Sequence, residues 1–142
     1  MTPDQVHLIR KSFAELSRHD DVAALVFYRR LFEIDPALRS LFTSNIQEQA
    51  RKLMDMLGAL IAMIERPVGL DIELRAMGAR HAGYGVKNEH YTTVGSALLD
   101  MLSETLGSAF TAPVRAAWTA LYGAVETTMK TGAAEATLPA QA

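Results

Sequence analysis

The chain has 142 residues, a formal net charge of −2, 49% apolar and 21% charged residues, and no cysteine. That length supports one domain with a real core. The charge leaves no electrostatic footprint for nucleic acid or an anionic membrane, and the missing thiols exclude disulfides, thiolate metal sites, iron–sulfur clusters and c-type haem attachment.

Thr2, Pro3 and Gln5 predict a helix start, with a hydroxyl cap, a proline in the first turn and a glutamine closing a capping box. Val6, Ile9, Phe13 and Leu16 then recur at helical spacing until Ser17 to Asp20 interrupts them. A second helix is predicted over about 21–34, with Leu25, Tyr28, Leu31 and Phe32 on one face. Asp35-Pro36 opens a short helix that ends near Phe42. Ser44 and Asn45 offer caps for a longer helix to about Glu65, with Leu53, Met56, Leu57 and Leu60 inward and Gln49 on the same face. Its apolar patch, Met54 to Ile64, is too short to span a bilayer and contains Asp55. Arg66-Pro67 and Gly69 break the chain, and Leu70, Leu74, Met77 and His81 then share one helix face until a turn at Gly83 and Gly85.

Asn88 is placed to cap a helix over about 89–106, with Tyr91, Val94, Leu98, Met101 and Leu102 inward and Gly107 as its C-terminal cap. Thr111 caps a last helix, with Pro113 in its first turn, a stripe of Trp118, Leu121, Tyr122, Val125 and Met129, and Gly132 at its end. Residues 133–142 show no periodicity and are expected to fray. With no strand pattern, repeat or linker, the expected fold is all-α, about seven helices in one domain over 1–132. The mixed polar and apolar N-terminus, MTPDQVHLIRKSF, predicts neither signal peptide nor membrane anchor, so a cytoplasmic protein is expected.

Tyr28, Gln49 and His81 are polar groups on the apolar stripes of three different helices. Burying one unpaired costs about 1–3 kcal/mol, so each needs a partner. Either each bonds the nearby backbone, or all three point into one cavity, apolar with a few convergent polar groups, as ligand sites are. For His81 three readings stand at this point: a metal or haem ligand, a core histidine bonded to a carbonyl, or a cation favoured by a helix C-terminus. His7 and His19 lie in polar surroundings, His90 lies in the first turn of a helix and adjoins Tyr91, and all three are read as solvated. No phosphate loop, HExxH or GxSxG motif is present, and no catalytic residue is assigned.

Several landmarks, in order, resemble the globin family over nearly the whole chain. Phe42 follows the short helix, Gln49 stands at the family's distal position, and His81 follows it by 32 residues within GARHAGYGV. The segment YTTVGSALLDMLSETLGSAFTAPVRAAWTALYGAV resembles neuroglobin. LVFYRRLF and SNIQEQARKLMDMLG resemble bacterial single-domain haemoglobins and the globin part of flavohaemoglobins. The resemblance implies a three-over-three helical sandwich around haem b (iron protoporphyrin IX), with His81 as the proximal iron ligand. It also implies haem-wall roles for Phe42, Leu53, Leu57, Met77, Val86, Val94 and Leu98, and propionate contacts for Lys52 and Arg80.

On the distal side, the resemblance implies that Tyr28 and Gln49 donate hydrogen bonds to dioxygen, at an iron left pentacoordinate because position 49 is not histidine. Carbon monoxide and nitric oxide are the other expected ligands. On the proximal side, Tyr91 matches the tyrosine that flavohaemoglobin-like globins pair with histidine and glutamate. The glutamate's place falls near Ala133, with Glu135 shifted from it, so a backbone carbonyl such as that of Met77 is the expected partner of His81. Reversible dioxygen binding for storage, transport or scavenging is the expected function. Nitric oxide dioxygenation is the alternative, and with no flavin or nicotinamide domain after Gly132 it calls for a separate reductase. No nucleic-acid or membrane partner is expected, and the chain is expected to be a monomer or weak homo-oligomer.

Overall fold

The computed structural model describes residues 1–42 and 45–136. Helix α1 (Pro3–Ser17) starts with the predicted capping box: the Gln5 amide donates to the Thr2 hydroxyl at 3.1 Å, and the Thr2 amide donates to the Gln5 side chain at 3.0 Å. Helix α2 (Asp20–Ile34) leads to a 3-10 turn (Pro36–Leu41), where the Asp35 carboxylate accepts from the Ala37 amide. Helix α3 (Ile46–Ala62) is capped by Asn45, whose side chain accepts from the Gln47 amide at 2.7 Å. Ser44, the other candidate cap, lies outside the described residues. Helices α4 (Pro67–Gly83) and α5 (His90–Leu106), a second 3-10 turn (Gly107–Ala109) and α6 (Ala112–Ala136) complete the order. Among the described residues there is no strand, and the fold is all-α as expected.

Five local expectations change. Pro67 does not break the chain but opens α4 at its first position, where a missing amide hydrogen has no intrahelical partner to lose. Helix α3 stops at Ala62, short of Glu65. Asn88 does not cap α5; instead the Lys87 amide donates to Nδ1 of His90 at 2.9 Å, so this histidine is not merely solvated. Leu25 is 45% exposed, because α2 packs on both α3 and α5 and buries Ala23, Ala24, Phe27, Tyr28 and Leu31 instead. Helix α6 runs past Gly132 to Ala136, and Gly132 is a packing point within it. The rest of the expected fraying tail, 137–142, lies outside the described residues.

Helices α1, α3 and α4 pack across α2, α5 and α6, three over three. The centre is sealed by Ile9, Leu16, Leu31, Met101, Leu102 and Trp118. Trp118 brings a donor into that centre, and its Nε1 donates to the Ser12 hydroxyl at 2.8 Å. Ser12 in turn bonds the Leu8 carbonyl, so these two buried polar side chains are matched. The supports of α3 and α4 differ: α3 rests mainly on α2 and α1, whereas α4 rests mainly on α6. The helices carrying Gln49 and His81 therefore rest on different neighbours. Among the described residues no helix is long and apolar enough to cross a membrane.

Candidate functional site

His81 lies in the last turn of α4, one turn after Met77. Its Nδ1 is 2.8 Å from the Met77 carbonyl oxygen. A carbonyl only accepts, so Nδ1 carries the proton and Nε2 presents a bare lone pair. Nε2 has no hydrogen-bond partner among the described residues. Burial pushes the imidazole below its ordinary range; the Met77 bond opposes this, and the charge of Arg80 adds to it. The neutral form, which is the ligating form, is thus favoured. The following turn is anchored on the same residue, whose carbonyl accepts from the Tyr84 amide at 3.0 Å and the Val86 amide at 3.1 Å. Gly85 makes that turn with φ +95°, a conformation that suits glycine. A Cβ at Gly85 would sit 3.5 Å from Leu41, so the end of the first 3-10 turn lies against the turn that follows His81.

Tyr28 and Gln49 come together through the backbone. The Tyr28 hydroxyl donates to the main-chain carbonyl of Gln49 at 3.2 Å. The Gln49 side-chain amide has no partner among the described residues. Burial pushes the Tyr28 phenol up to about 12, so it stays protonated at neutral pH. Its ring is set by edge contacts with Phe27 and Phe42, centroids 5.0 and 5.3 Å away, and Phe42 also meets Phe32 at 5.6 Å.

Of the expected wall residues, Leu57, Met77 and Leu98 are buried, while Phe42, Leu53, Val86 and Val94 stay only partly buried. Lys52 is exposed. Arg80, expected to reach a propionate, forms an ion pair with Glu73 at 3.3 Å. Both side chains of that pair are about half exposed, a setting in which such a pair is weak.

Tyr91 is buried on α5, but no hydrogen bond joins it to His81 among the described residues. Its carbonyl accepts from the Tyr122 hydroxyl at 2.5 Å, and the Lys130 ammonium lies 5.7 Å from its ring centre. Glu135 forms an ion pair with Arg75. Sequence reasoning missed the Tyr122 bond, the Lys130–Glu126 pair at 2.6 Å beside Tyr91, and the role of Gly132. A glycine inside an otherwise continuous helical stripe was the available signal for the last.

The donor set fits a haem. A bare metal ion held by protein alone takes several side-chain ligands, whereas His81 offers one unengaged imidazole nitrogen. One nitrogen suffices for an iron whose equatorial ligands come with a macrocycle. The partly buried apolar residues Phe42, Leu53, Val86 and Val94 suit a flat apolar group.

The globin family model matches residues 25–129. Neuroglobin of Dissostichus mawsoni is 34% identical over 139 residues, covering 88% of this chain and 87% of that protein. Neuroglobin of Danio rerio is 31% identical with the same coverage. Among solved structures, one match is an engineered carbene transferase built on a protein designated a nitric oxide dioxygenase, from Rhodothermus marinus. It has a TM-score of 0.83 and 31% identity, and the match covers 95% of this chain and 94% of that one.

Proposed function

This chain belongs to the globin family, a family of haem-based gas-binding proteins, and on that premise we propose that it binds dioxygen reversibly at haem b. The observation that carries the reading is His81, with Nδ1 fixed by the Met77 carbonyl and Nε2 unengaged. When bound, the haem iron supplies a coordination position for a diatomic gas. His81 holds the iron through Nε2, and its Nδ1 bond fixes the tautomer and the ring plane. Phe42, Leu53, Leu57, Met77, Val86, Val94 and Leu98 would line the pocket that holds the haem and exclude water from it. Lys52 and Arg80 meet the propionates, Arg80 by leaving its weak pair with Glu73.

The distal donor is the Gln49 amide. Tyr28 stays a neutral phenol whose proton is held by the Gln49 carbonyl, so it steadies the backbone that carries the amide. An amide at position 49 also leaves the iron with one protein ligand in the ferrous state. The direct test is the His81→Ala variant reconstituted with haem b. Loss of stable haem retention and of the parent ferrous spectrum is expected; an unchanged spectrum would reject the assignment.

A second reading, nitric oxide dioxygenation, is favoured by the designation of the Rhodothermus marinus protein. It needs an electron donor to restore ferrous iron after each turnover. Mixing the gas-loaded protein with nitric oxide and a reductase separates the two readings, since only an enzyme consumes nitric oxide repeatedly.

A further inference from the structure

We propose that the crossing of α4 and α6 is a positioning device for His81. Gly78 and Gly132 let the two backbones touch, and Arg75 pairs with Glu135 across the crossing, so the backbone contact sets how far His81 projects into the site, with the ion pair as a smaller contribution. The inference rests on the reading of His81 as the iron ligand.

A Cβ on Gly78 would lie 1.9 Å from the Met129 carbonyl oxygen, and a Cβ on Gly132 would lie 2.1 Å from the Arg75 carbonyl oxygen. No side chain fits at either place without moving a helix. The two contacts are reciprocal: residue 78 meets 129 and residue 132 meets 75, so the same three-residue step is matched on both helices in antiparallel register. Beside this crossing, Arg75 Nε donates to Asp71 of its own helix at 2.8 Å, and its Nη1 donates to Glu135 of α6.

The crossing adjoins the ligand. Gly78 directly follows Met77, whose carbonyl holds His81 Nδ1, and precedes His81 by three residues. A displacement of α4 here moves the carbonyl and the imidazole together. The buried residues of α4 are Leu74, Met77 and Gly78, while Val68 and Ile72 are exposed, so no broad apolar stripe sets its seat. Glu135, the carboxylate nearest in sequence to the family's proximal glutamate, serves this crossing and makes no bond to Tyr91 or His81 among the described residues.

The test uses the full chain loaded with haem b and reduced without oxygen, reading the iron–histidine stretching band by resonance Raman and the rate of haem loss to an apoprotein acceptor. Gly132→Ala is expected to displace the band and to speed haem loss about tenfold or more. Glu135→Lys, an exposed charge reversal that repels Arg75 without filling space, is expected to displace the band in the same direction. Ser12→Ala, which loosens α1 from α6 away from α4, lowers the melting temperature without moving the band. If Gly132→Ala does not fold, Glu135→Lys decides. A band lost in His81→Ala but unmoved in the crossing variants overturns the proposal alone, whereas a band that survives His81→Ala overturns the ligand reading, and the proposal with it.

Discussion

At the scale of the residue, the distal pair divides its labour. The Tyr28 proton is engaged by the Gln49 carbonyl, and the Gln49 amide is the donor left over among the described residues. Gln49→Leu therefore speeds dioxygen release the more, roughly tenfold for one net hydrogen bond of about 1.4 kcal/mol. Tyr28→Phe has the smaller effect; stopped-flow dissociation rates in the opposite order would show that tyrosine is the principal donor. His81 supplies a pH test on the haem-free protein. Its folded-state value is depressed chiefly by burial, so below the ordinary 6.5 the unfolded chain takes up the proton more readily. The stability this group contributes is present above that pH and lost as pH falls toward the depressed folded value. His81→Leu should flatten that part of the stability–pH curve, and parallel curves for parent and variant would contradict the sign.

The same residues show what was legible in the sequence. Gln49 and His81 were findable because each interrupts an apolar stripe and because their separation matches the family's. The acceptor of each hydrogen bond was harder to find. Main-chain carbonyls are common to every residue, so only the helical one-turn offset suggested Met77 for His81, and nothing local suggested the Gln49 carbonyl for Tyr28. Asn88 and His90 both suit a helix start, and the choice between them depended on the backbone path out of Gly85.

At the scale of the element, helix starts were encoded locally and helix seats were not. Thr2, Asp35 and Asn45 cap as their side-chain chemistry dictates. Gly132 was misread as a terminator because glycine at a helix end and glycine at a close crossing share one letter, and only the partner helix distinguishes them. The Ser12–Trp118 bond joins α1 to α6 across 106 residues and is equally invisible to periodicity. Ser12→Ala leaves the indole N–H buried without its acceptor and should cost about 1–3 kcal/mol in urea unfolding. A loss well under about 0.5 kcal/mol would mean the indole finds another partner.

At the scale of the molecule, α3 and α4 are supported by different helices. A haem bound between them as proposed would add contacts to both helices, so binding would stabilise the fold by mass action, about 4 kcal/mol at a thousandfold excess over Kd. Helix α4, which leans on α6, should exchange its amide hydrogens faster than α5 in the haem-free protein and gain the most protection on loading. Equal protection of α4 with and without haem would argue against the bridge.

The central claim is an iron held by His81 alone, with Gln49 facing the gas. The visible absorption spectrum of the haem-loaded, ferrous, gas-free protein tests it most directly. The account predicts a five-coordinate spectrum that converts on adding carbon monoxide. A six-coordinate ferrous spectrum without added gas, or failure to retain haem, would contradict it.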